Sequence, residues 1–266
     1  MEPSSGRTEF VPGRRSRPGT NRVQVLLIIL AAVVLLPAPK GGFPARLEPL
    51  ASIGLVLGGI GILLIVAALN ARVLQRRLAG DRPLREFERA ARSLRFVQWA
   101  AVGIVAAGVL GTGFREAVRG YVGDFLVIDE ALTMAPALFA IVAAWWIFHP
   151  FEVRARDATL IRRLDEGLPV QAAPSRSAWV AMQFRTQVLI LLVPLGLLAV
   201  TGDVFEALIV RSSYQPPGWL ATAMPASLVI PIAILAPALV VRLLGARPLP
   251  EGEVRATLES MCDRAG

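Results

Sequence analysis

LASIGLVLGGIGILLIVAAL, residues 50–69, runs for twenty residues without a single charge. A helix rises about 1.5 Å per residue and a hydrocarbon core is about 30 Å thick, so this stretch has the length of one crossing. Hydrocarbon offers no partner to an unpaired backbone, so the crossing is expected as a helix. Five further apolar stretches, 23–38, 97–113, 131–148, 188–208 and 223–244, flank it on either side. The fold class expected is therefore all-α: a polytopic membrane protein of about six transmembrane helices, joined in places by amphipathic cytoplasmic helices.

The polar segments give the orientation. Taken in order, and with Arg242 at the end of the last stretch counted with the tail, they hold 5, 2, 8, 2, 6, 1 and 4 Lys and Arg residues. Basic residues are retained on the cytoplasmic side of a membrane, which places both termini there with 23 of the 28 positive side chains. Three regions follow: a basic cytoplasmic tail at 1–22, a six-helix transmembrane region at 23–244, and a cytoplasmic tail helix within 245–266.

Composition agrees with that class. Hydrophobic residues make up 55 % of the chain and charged ones 18 %, well off the balance of a soluble domain. A net charge of +8 suggests nucleic acid in a soluble protein, but here Arg residues lie in short loops beside apolar stretches. The lipid bilayer and its anionic headgroups are the expected partners, and nucleic acid is not. Arg used almost to the exclusion of Lys, with Lys40 alone, and abundant Ala, Gly and Leu indicate a GC-rich bacterial genome and hence the bacterial cytoplasmic membrane. Cys262 is the single cysteine and excludes an intrachain disulfide. Residues 23–38 follow Arg14, Arg15, Arg17 and Arg22 like a signal peptide, but Pro37-Ala38-Pro39 is a poor cleavage site, so an uncleaved first helix is expected.

Within the apolar stretches the notable residues are small, proline or acidic. Gly54-x-x-x-Gly58, and Gly103, Ala107 and Gly111 at four-residue spacing, suit close helix packing in lipid. Trp145 and Trp146 are expected as interfacial anchors at the cytoplasmic edge of the fourth stretch. Asp129 and Glu130 leave two readings open: an intramembrane acidic pair serving a proton or cation, or headgroup-level carboxylates if the span begins at 131. Pro194 interrupts the fifth stretch, with Asp203 and Glu206 toward its outer end, and Pro225, Pro231 and Pro237 kink the sixth. Between stretches, 81–96 repeats Leu84, Phe87, Ala91 and Leu94 against five arginines and is expected as a surface-lying amphipathic helix. Residues 152–166 form a second such helix, stopped at Gly167.

Recognisable catalytic chemistry is lacking. A zinc hydrolase site needs imidazoles or imidazole plus carboxylate at helical spacing, and His149 is the only histidine. No serine occupies a Gly-x-Ser-x-Gly elbow, and the glycine pairs within apolar stretches lack a following Lys-Ser/Thr. No catalytic, cofactor-binding or metal-binding residue is assigned. At the end of the chain, Glu251 opens a helix in which Val254, Leu258 and Met261 share one face, a stripe too short to hold itself in water.

Arg247-Pro248-Leu249-Pro250-Glu251-Gly252-Glu253-Val254-Arg255, with Leu258-Glu259-Ser260-Met261-Cys262-Asp263-Arg264-Ala265-Gly266, resembles the stretch by which HtpX-like and CAAX-prenyl-protease-like membrane zinc metallopeptidases leave their transmembrane region. His149-Pro150-Phe151-Glu152 and Leu160-Ile161-Arg162-Arg163-Leu164 are similar to a matching loop, so the resemblance spans about 148–266. It implies a bacterial membrane-anchoring region for a zinc enzyme whose His-Glu-x-x-His helix is not in this sequence, so the chain is expected to be truncated and inactive alone. Zinc and a C-terminal catalytic domain would be its implied cofactor and partner. The alternatives are a stand-alone membrane scaffold or sensor without catalysis and, behind these, a transporter using Asp129, Glu130 and the proline-rich sixth stretch.

Overall fold

A computed structural model describes residues 22–35, 47–78, 83–123, 128–165, 174–212 and 252–265, with isolated positions between 234 and 245. The described residues are helical throughout, with no strand among them. The order is α1 (Arg22–Leu35), α2 (Pro49–Arg77), α3 (Pro83–Thr112), α4 (Phe114–Val122), α5 (Ile128–Asp165), α6 (Arg176–Gln183), a π-helical segment (Phe184–Leu189), α7 (Ile190–Ser212) and α8 (Glu253–Ala265). Four helical stretches are long and apolar enough to cross a membrane by length and composition: Pro49–Arg77, Arg85–Thr112, Ile128–Asp157 and Arg176–Thr201. The sixth expected stretch, with Pro225, Pro231 and Pro237, falls outside the described residues apart from isolated positions. Most of the basic tail falls outside them too.

Two expected boundaries are absent. The amphipathic segment 81–96 and the apolar stretch 97–113 are a single helix, α3, entered at Pro83. Proline is well suited to that first turn, where its missing N–H leaves no bond unmade. Composition changes at Val97, but no glycine or proline falls between Leu84 and Val102, so nothing ends the hydrogen-bond ladder. Likewise the fourth stretch continues past Phe148 to Asp165 and carries both Pro136 and Pro150 inside it. The expected surface-lying helices are thus extensions of longer ones.

Helices α2, α3 and α5 pack on one another, and α1 lies against α3 and α5. Leu26, Leu27, Leu30 and Val34 of α1 are almost wholly buried there, spaced three and four residues apart as one helix face requires. Side-chain bonds fix α2 and α3 as antiparallel. Near the start of α2, Ser52 Oγ lies 2.7 Å from Thr112 Oγ1 at the end of α3; near the other end, Asn70 Nδ2 donates to Ser93 Oγ at 2.9 Å. Thr112 has one hydroxyl proton and gives it to the Gly108 carbonyl at 2.8 Å, so Ser52 is the donor to Thr112.

Close approach of these helices falls on different glycines from those expected. Gly54, Gly58, Gly103 and Gly111 have open space where a Cβ would stand. Gly108 is the tight position, where a Cβ would come 2.5 Å from Val56 Cγ2 and 3.4 Å from Phe114 Cβ. The faces marked by four-residue spacing meet no neighbouring helix among the described residues, and it is the adjacent Gly108 that meets α2.

Candidate functional site

Two places gather polar side chains inside the helical assembly. The first is built on α4, nine residues set between glycines of positive φ, Gly113 at 76° and Gly123 at 84°. A side chain disfavours that backbone region, and glycine reaches it freely, so the chain can turn sharply at both ends of α4. Phe114, Ala117 and Val118 form the buried face of the helix. Arg115 and Arg119, four residues apart, point alongside toward the first turn of α5.

There Asp129 and Glu130 receive them. Arg115 Nη2 donates to Glu130 Oε1 at 3.1 Å and Arg119 Nη2 donates to the same oxygen at 2.9 Å, while Arg119 Nε donates to Asp129 Oδ2. The Asp129 side chain is 1 % exposed and its main-chain carbonyl accepts from Thr133 Oγ1 at 2.7 Å. Two carboxylates thus face two guanidiniums, with both acids in the first turn of a helix, where its dipole also favours them. The arrangement joins α4 to α5. Sequence reading singled out the two acids but not their partners; the i,i+4 repeat of Arg115 and Arg119 in a short segment between glycines was the available signal.

The second place lies at the arginine-rich end, bounded by α1, α3, α5, α6 and the π-helical segment. A cavity of about 630 Å³ opens there, with Phe87, Leu94, Trp145, Phe148, Phe151 and Trp179 among its lining. Gln98, Gln183 and Gln187 supply amides, and Arg95 and Glu152 supply one charge of each sign. Gln187 Nε2 donates to Gln183 Oε1 across one wide turn. Gln98 is 4 % exposed, and among the described residues its side chain makes no hydrogen bond. None of the three glutamines stood out in the sequence; an amide one residue inside an apolar stretch and a Gln pair at i,i+4 were the clues.

Trp145, expected as an interfacial anchor, is instead a core residue at 2 % exposure. Its neighbour Trp146 is exposed, with the Arg176 guanidinium carbon 5.2 Å from its ring centroid. His149 is buried edge-on against Trp179 with ring centroids 5.3 Å apart. Cys262 is exposed on α8. These residues do not fit the zinc ion that the metallopeptidase resemblance implies: the imidazole is enclosed by an aromatic neighbour, and no three His, Cys, Asp or Glu side chains converge among the described residues. Comparison with family models, curated proteins and solved structures gives no match.

Proposed function

We propose that this chain is a multi-pass protein of a bacterial cytoplasmic membrane that acts as an anchoring and docking scaffold, with both termini in the cytoplasm. The observation that carries the reading is the continuity of α3 and α5: each runs unbroken from an apolar stretch into an arginine-rich or mixed-charge extension. A continuous helix holds its polar end at a fixed distance and angle from its apolar part. In this reading Arg85, Arg89 and Arg92 on α3 and Arg154 and Arg156 on α5, which lie on the polar extensions of those helices, stand at the headgroup level and just beyond it. Anionic lipid is the partner their charge favours.

In its more specific form the scaffold serves an HtpX-like zinc metallopeptidase. The residues quoted at 148–152, 160–164 and 247–266 support this form, as does α8, where Leu258 and Met261 are each about half exposed. The metal chemistry would then belong to a partner domain, since His149 and Cys262 do not supply a site. A transport function draws less support, because Asp129 and Glu130 are engaged by Arg115 and Arg119.

Membrane fractions washed with alkaline carbonate test the general reading: the chain should stay in the pellet, and its release to the supernatant would end it. Crosslinking from α8 in intact membranes, followed by peptide mapping, tests the specific form. Expected is a crosslinked protein with a His-Glu-x-x-His motif, lost on Leu258→Asp. Crosslinks confined to lipid or to the chain's own helices would remove the metallopeptidase and leave the scaffold.

A further inference from the structure

We propose that the cavity between α1, α3, α5 and the π-helical segment is a binding site for a neutral amphiphile, an apolar-chain molecule with an uncharged carbonyl or hydroxyl head. The proposal rests on the membrane reading for the origin of its ligand, and on the cavity itself for its chemistry. At about 630 Å³ the space falls within the range of small-molecule sites, about 300–1,000 Å³. Trp145, Phe148 and Trp179 give it an aromatic wall suited to an apolar body.

Its polar groups define the head. The Gln98 side chain lines this cavity on a residue only 4 % exposed, and its amide is not among the fully enclosed polar groups lacking a partner, so it is open to the cavity for a hydrogen bond. Gln183 and Gln187 face the same space, and the single bond between them uses one donor and one acceptor out of two amides. An amide has two N–H donors and a carbonyl acceptor, so the wall can both give to and accept from a carbonyl or hydroxyl. The lining holds one charge of each sign, Arg95 and Glu152, and Arg95 Nε donates to the Ala91 carbonyl at 3.1 Å. With one carboxylate and one guanidinium on its lining, the cavity carries no net positive charge to favour a phosphate head. Gln187 lies in the π-helical segment and Gln183 directly precedes it, and π turns recur at functional sites.

Diacylglycerol and an isoprenoid quinone share this chemistry, one offering a hydroxyl and esters, the other ring carbonyls. The full chain in phosphatidylcholine nanodiscs, and in parallel in maltoside micelles, would be irradiated with a diazirine-bearing diacylglycerol and its labelled peptides mapped. Labelling is expected on the peptides holding Trp145 to Glu152 and Trp179 to Gln187. Competition by unlabelled diacylglycerol alone would identify a hydroxyl-headed ligand, and competition by the quinone as well a carbonyl-headed one; phosphatidylglycerol should not compete. Gln98→Leu should weaken labelling about two- to tenfold, as loss of one hydrogen bond implies. Ala91→Phe, which fills the cavity and keeps all three amides, should abolish it. Labelling confined to lipid-facing positions, equal competition by phosphatidylglycerol, or full labelling of both variants would overturn the site. Carbonate extraction of the same preparation reports separately on the membrane reading, and the micelle arm reads the cavity whichever way that falls.

Discussion

Arg119 and Asp129 stand ten positions apart on two different helices, and the guanidinium of the first donates to the carboxylate of the second, which is almost completely enclosed. Removing Arg119 leaves the enclosed Asp129 carboxylate without its cation, whereas Arg119 without Asp129 still holds Glu130. Arg119→Met should lower stability by about 3 kcal/mol, the lower figure for a buried pair because Arg119 is about one-third exposed, and Asp129→Asn should cost less because Arg119 keeps Glu130. Thermal unfolding in detergent would show both as a lower midpoint. The double variant Arg119→Met/Asp129→Leu should lose less than the sum of the two. Additive losses would mean the pair is not coupled.

Gly108 sets the spacing of α2 and α3. A methyl group there collides with Val56, so Gly108→Ala should destabilise by about 1–3 kcal/mol through overpacking. Val56→Ala in the same chain should recover part of the loss. The same substitution at Gly103, which faces open space, serves as the control and should be near neutral. Equal effects at Gly103 and Gly108 would contradict the contact.

Topology is open to a chemical test. In a Cys262→Ser background, Arg89→Cys should resist a membrane-impermeant thiol reagent in intact cells, and Tyr121→Cys, exposed at the opposite end of the bundle, should react. The reverse pattern would invert the membrane orientation proposed for the scaffold.

Helix α8 should behave differently from the bundle. With Leu258 and Met261 exposed, its amides have little besides a 13-residue helix to protect them, and isolated helices of that length are marginal. Hydrogen exchange should be fast across Arg255 to Met261 and slow across Val102 to Val109 of α3, whose faces are buried. Comparable protection in both would show α8 held by more than its own backbone.

The chain's pattern made much of the fold legible and less of its detail. Residues 50–69 fall inside α2, since an uncharged run of that length has few other fates. The division of α3 at Phe96 failed because it rested on composition, whereas a helix stops only where its backbone is stopped. Even proline does not stop α5, which carries Pro136 and Pro150 inside it. The acids at 129 and 130 were visible as charges beside an apolar stretch, but their arginine partners come from a separate short helix, and its path depends on two backbone angles at glycine. The glutamines of the cavity were hidden for another reason: their significance arises only where three helices meet, and no local pattern encodes that meeting.

The π-helical segment from Phe184 to Leu189 has an effect beyond its six residues. A π hydrogen bond closes over one residue more than an α one, and one residue of α-helix corresponds to about 100° of rotation. The segment therefore works as a phase shifter between Arg176–Gln183 and the helix that begins at Ile190. Chain length at this point encodes an azimuth instead of a reach: deleting a single residue here would leave a helix of nearly the same extent but swing one half about its axis relative to the other, turning Gln183 and its cavity-facing neighbours away from the side to which α7 is keyed.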